Sequence, residues 1–183
     1  MSRIGAAIFV VLSLAYPLVV YWAMGRFEPR WLAVLLLVLA LLRAVATRQA
    51  VWLVAAAGAA LLALLATVSN EALPLKLYPA LVNAVMLAVF ATSLAFPPSA
   101  VERIARMTEP DLPPAGVAYT RRVTQVWCVF FVFNGALAVA TALWTSDRVW
   151  ALYNGLIAYV LIGTLFSVEW LVRRRVRARH SHG

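Results

Sequence analysis

Apolar runs of about one membrane thickness alternate with short polar breaks along nearly the whole chain. A helix needs about 20 apolar residues to cross a hydrocarbon core of about 30 Å. Six runs are candidates, at about 4–24, 31–46, 51–68, 75–96, 123–144 and 148–172, the second and third being short. The second follows "RFEPR", whose Pro29 suits the start of a helix. "RAVATRQA" leaves room only for a tight turn between the second and third, so these two predict an antiparallel hairpin. The pattern predicts an all-α transmembrane bundle of about six spans, forming a single integral membrane domain over 1–183. Merging or demoting one of the two short runs would leave five.

The longest polar break, 97–122, lies between the fourth and fifth runs, within "AFPPSAVERIARMTEPDLPPAGVAYTRRVTQVW". Ser99 followed three residues later by Glu102 has the spacing of a capping box, with Pro98 just before it. A short amphipathic helix over about 100–107 is predicted. Val101, Ile104, Ala105 and Met107 are its apolar positions, and Glu102, Arg103 and Arg106 its polar side. Such a helix would lie along the inner membrane surface. "EPDLPPAGVAY" reads as an extended, proline-stiffened return. Arg121 and Arg122 then sit at headgroup level as the fifth span begins. Ordinary charged connectors need neither a capping box nor two proline pairs. The segment therefore reads as an ordered plate that binds lipid phosphates or a partner protein through Arg103, Arg106, Arg121 and Arg122.

Composition agrees with the membrane reading. Hydrophobic residues make up 64% of the 183, against about half in soluble domains, and charged residues only 13%. The net charge of +9 does not point to nucleic acid, because the cations lie between and after the apolar runs. With six spans and a cytoplasmic N-terminus, 12 of the 16 Lys and Arg residues fall inside and 4, namely Arg26, Arg30, Lys76 and Arg148, outside. The positive-inside rule therefore places both termini and the 97–122 loop in the cytoplasm. Arg3 and the run behind it resemble a signal peptide, but the run is too long and lacks a small-residue cleavage site, so it reads as an uncleaved first span. All seven tryptophans lie near span ends, where indole rings anchor at the headgroups. The basic tail, 173–183, reads as a stop-transfer signal in contact with anionic lipid.

Polar residues inside the runs are few. Asn83, Asn134 and Asn154 either bridge helices or line an intramembrane polar pocket. Gly135, Gly155 and Gly163 would allow helices to approach closely. Glu169, four residues before Arg173, is placed for a helical ion pair near the cytoplasmic end. Tyr16-Pro17 and Tyr78-Pro79 echo each other, as halves of an inverted repeat would, with too little flanking identity to establish one.

Catalytic chemistry is not legible. There is no phosphate-binding glycine loop and no nucleophile elbow, and His180 and His182 are both in the tail. The single cysteine, Cys128, allows no internal disulfide and no cysteine-based metal site. Glu102, Glu109 and Asp111 do not have the spacing of a metal site. The expectation is no enzyme, no cofactor and no metal.

Over roughly 75–176 the motif order resembles the bacterial septation protein A family. "VERIARM", a "LPP" segment, "WCVFFVFNGALAVATALW" and "VWALYNGLIAYVLIGTLFSVEWLVRRRV" carry that resemblance. "ERIAR", "EPDLPP", "YTRRVT" and "YNGLIAY" resemble more closely an uncharacterised family of bacterial inner-membrane proteins associated with aryl-polyene and fatty-acid-type gene clusters. That resemblance implies a bacterial inner membrane, a context of acyl or polyene lipid synthesis and an acyl carrier protein among the neighbours. It transfers no catalytic residue. The expected function is a non-enzymatic scaffold or docking platform in contact with membrane phospholipids. The alternatives are a lipid or small-molecule transporter and a septation or envelope-integrity factor.

Overall fold

A computed structural model describes residues 50–69 and 71–180, together with scattered positions between 18 and 38. Most of the first two predicted spans therefore lies outside the described residues. Those that are described form helices and connecting turns, with no strand among them. In chain order they are α1 (Ala50–Ser69), α2 (Leu73–Lys76), α3 (Tyr78–Ala95), α4 (Ala100–Arg106), α5 (Pro114–Trp144), α6 (Asp147–Leu152), a single π-helical turn (Tyr153–Ile157) and α7 (Ala158–His180). Three helical stretches are long and apolar enough to cross a membrane: Leu73–Ala95, Pro114–Trp144 and Asp147–Arg173. A shorter apolar stretch, Ala56–Ser69, belongs to α1.

The centre is the antiparallel pair α3 and α5. Asn83 meets Asn134, Phe90 meets Phe131 with ring centroids 5.2 Å apart, and Arg121 reaches the Leu94 carbonyl. Gly135 permits the approach: a Cβ there would stand 3.2 Å from that of Asn83. On one side α1 offers small side chains. Ala59, Ala63 and Ala66 are buried with Leu75, and Tyr78 and Leu81 pack against them. On the other side α6, the π-turn and α7 run antiparallel to α5, from Asn154 beside Thr141 to Tyr119 beside Glu169.

The 31 residues of α5 extend about 46 Å, well beyond a hydrocarbon core of about 30 Å. This corrects the extended return expected before the fifth span. Pro113 is extended and Pro114 occupies the first helical turn, where its missing N–H costs nothing. The helix therefore starts nine residues before the predicted 123. The proline pair marks its beginning rather than a stiff linker.

Two tryptophans also depart from expectation. Trp150 is fully buried, and its indole N–H donates to the Lys76 carbonyl at 3.0 Å. Trp127 is buried with Val101 and Phe131, and its ring centroid is 4.7 Å from that of Phe166. These two bind helices together, whereas Trp144 and Trp170 remain exposed. Gly163, expected at a helix crossing, faces open space.

Candidate functional site

The 96–113 segment is folded. Its helix, α4, has the capping box expected from the sequence, with Ser99 extended at the N-cap. The Glu102 carboxylate accepts the Ser99 N–H at 3.4 Å. Helix N-termini leave N–H groups without intrahelical partners, and neighbouring helices satisfy the next two. Ala100 donates to Ser93 Oγ of α3 at 2.8 Å, and Val101 donates to Thr124 Oγ1 of α5 at 3.3 Å. Ser99 Oγ stands over the Glu102 N–H without closing a full hydrogen bond. It is a buried side-chain oxygen left without a partner.

The faces of α4 differ from the predicted division. Glu102 is not on the polar outer side; it is buried with Val101 and Ala105 against the bundle. A buried carboxylate requires a partner, and Arg106 provides one at 2.9 Å. Arg106 Nη1 also donates to the Pro110 carbonyl at 2.8 Å, which closes the turn behind the helix. The four apolar positions separate: Val101 and Ala105 are buried against the bundle, whereas Ile104 and Met107 point outward and are 59% and 83% exposed.

The four arginines have unequal parts. Arg103 Nε donates to the Pro98 carbonyl at 2.9 Å, and its Nη2 approaches the Phe96 carbonyl at 3.5 Å. Arg121 Nη1 donates to the Leu94 carbonyl at 3.1 Å, at the C-terminal end of α3 where backbone carbonyls are left over. Arg106 is committed to Glu102 and Pro110. Arg122 is exposed beside Arg121 on α5. Two of the predicted docking cations, Arg103 and Arg106, therefore also hold the segment's own backbone, and a third, Arg121, holds the end of α3.

Glu169 and Arg173 form the predicted ion pair at 2.8 Å. The Tyr119 hydroxyl donates to the Glu169 carbonyl at 3.3 Å and lies 3.5 Å from its carboxylate. That links α7 to the extension of α5 at the loop end.

The three asparagines within the apolar helical stretches do not form one group. Asn134 Nδ2 donates to Asn83 Oδ1 at 3.0 Å, and Asn83 Nδ2 donates to the Pro79 carbonyl at 2.8 Å. The Tyr153 hydroxyl donates to Asn134 Oδ1 at 2.8 Å. Asn154 instead donates to Thr141 Oγ1 at 3.2 Å and to the Trp150 carbonyl at 3.0 Å. Asn134 and Thr141 are seven residues apart and share a face of α5, with the fully buried Ala138 between them. The wide π-turn at Tyr153–Ile157 lets two successive residues, Tyr153 and Asn154, both reach that face.

Sequence reasoning missed Tyr153, Thr141, Ser93 and Thr124. The seven-residue spacing of Asn134 and Thr141 was the available signal for one of them. It also missed a clasp at the opposite end, where the mostly buried Lys76 ammonium pairs with the half-exposed Asp147 at 2.9 Å.

Among the described residues no three His, Cys, Asp or Glu side chains gather as a metal site would require. No family model, curated protein or solved structure matches the chain.

Proposed function

We propose that the chain is a non-enzymatic protein of the bacterial inner membrane, a bundle of about six spans with both termini in the cytoplasm. Its folded 96–113 segment is a platform at the membrane surface for acyl or polyene lipid synthesis. The observation that carries this reading is the way α4 is fastened. Side chains of α3 and α5 cap its first N–H groups, and the pairing of the buried Glu102 with the half-exposed Arg106 closes its far end. A connector that only joins two spans gains nothing from such ordering, which costs about 1–2 kcal/mol of backbone entropy per residue.

The resemblance to proteins of aryl-polyene gene clusters supports an acidic acyl carrier protein as the partner. The cations it would meet are Arg103 and Arg122, both exposed. The test is a binding titration of purified acyl carrier protein against the full chain in nanodiscs. Arg122→Glu, which leaves the internal arginine contacts intact, should weaken binding about tenfold, as loss of one charge-assisted contact would. Binding that is unchanged in both Arg122→Glu and Arg103→Glu would remove the platform reading.

A second reading, transport of a lipid or small molecule, draws support from the buried Asn83–Asn134–Tyr153 chain of hydrogen bonds. Intramembrane polar groups are costly and often functional. It requires that Asn83→Leu with Asn134→Leu abolish function in cells while the protein still inserts. A functional double variant would leave these residues as helix–helix bonds.

A further inference from the structure

The position of α4 has a consequence for the surface it turns outward. Its inner face does not rest on the tip of the bundle but against its flank. Val101 packs with Trp127 and Phe131, and Phe90 packs against the same cluster. Trp127 is 17 residues before Trp144, about 26 Å along the helix, so this contact lies inside a hydrocarbon layer of about 30 Å measured from the Trp144 end. Arg122, at about 33 Å, falls at headgroup level on the same scale.

The face of α4 opposite the bundle therefore looks sideways, along the membrane boundary. It carries Ile104 and Met107, three residues apart on one side of the helix and 59% and 83% exposed. Phe96, 74% exposed, is tied to it because Arg103 reaches back to the Pro98 and Phe96 carbonyls. The acid of this helix, Glu102, is turned inward onto Arg106, so the charge left on the outer face is that of Arg103. The exposed acid Asp111 comes four residues after Met107, in the turn beyond the helix. Apolar side chains in water are a liability, whereas at the boundary of acyl chains and headgroups they are stabilising. Cations at that level are attracted by phosphates, by about 1 kcal/mol each at an anionic surface.

We propose that Phe96, Ile104 and Met107 form an interfacial wedge seated in an anionic phospholipid leaflet, with Arg103 and Arg122 on the lipid phosphates. The wedge rests on the reading of Leu73–Ala95 and Pro114–Trp144 as membrane spans. It concerns lipid: where Arg103 and Arg122 rest on phosphates, a carrier protein meets them only by displacing that lipid.

Spin labels test it in the full chain, with Cys128→Ala as background. Labels at Ile104→Cys, Met107→Cys and Asp111→Cys are compared in nanodiscs of neutral lipid and of about one-third anionic phosphatidylglycerol. The readout is collision with lipid-soluble oxygen against collision with a water-soluble nickel chelate. At 104 and 107 the oxygen-to-nickel ratio should exceed that at 111 by about threefold in the anionic discs. It should fall toward the neutral-disc value in Arg103→Gln or Arg122→Gln. A water-like ratio at 104 and 107 in both lipids overturns the wedge, as does a lipid-like ratio that ignores lipid charge. A label at Leu137→Cys, on an exposed apolar position of α5, separates the two levels of the argument. A water-like signal there would defeat the span reading itself.

Discussion

Asn83 and Asn134 show how a few polar atoms specify a helix pair that lipid would otherwise leave undirected. Between apolar helices in a bilayer no hydrophobic drive selects a partner, so interhelical hydrogen bonds and close packing must. Asn134 accepts from Tyr153 while donating to Asn83, which makes one residue the hinge of three helical segments. Asn83→Leu and Asn134→Leu should each cost about 0.5–2 kcal/mol of stability in detergent or bicelles. The double variant should cost less than their sum, because both remove the same bond. Strict additivity in a steric-trapping measurement would mean that the bond contributes nothing. The asparagines were legible in the sequence because amides interrupt apolar runs. Tyr153 was not, because a tyrosine near a span end reads equally well as a headgroup anchor. Glu102 was misplaced for a related reason. A charged residue reads as outward-facing until the arginine contact and the cap that hold it inward are seen.

At the scale of elements, the three long apolar stretches were read to within two residues at every end but one, the start of α5. Hydropathy locates the stretch that matches lipid, but α5 runs on because Pro114 starts it and the residues after it are compatible with helix. The interruption of the last span by a π-turn has no counterpart in an apolar pattern. "YNGLIAY" is as consistent with plain α-helix, and only the partners of Tyr153 and Asn154 show what the extra width serves. Glycines make the same point. Gly135 and Gly163 look alike in sequence, yet a Cβ at 135 presses on Asn83 and one at 163 meets nothing within 4 Å. Gly135→Leu should push α3 from α5 and cost about 1–3 kcal/mol. Gly163→Leu should leave thermal stability nearly unchanged. A larger loss at 163 than at 135 would point to an interface on α7 in the assembled protein.

For the whole molecule, the described helices share a layout of two ends. Lys76, Asp147 and Trp150 clasp one end, and the α4 plate with Glu169, Arg173 and Tyr119 closes the other. Between them lie the alanine-rich contact of α1 and the aromatic cluster around Trp127. The capping box made the plate's helix legible from four letters of sequence. Its seat against the bundle flank was not, because that depends on Thr124 and Trp127, more than 20 residues away. That seat is what turns the segment from a connector into a platform. Hydrogen exchange of the full chain in membranes measures it most directly. Amides of 100–106 should exchange far more slowly than free peptide, by about two orders of magnitude, with Ala100 and Val101 among the protected. Glu102→Ala should release this segment while leaving the amides of α3 and α5 protected. Exchange of 100–106 at free-peptide rates in the unaltered chain would contradict the account, because a segment that is open in the membrane cannot serve as a platform.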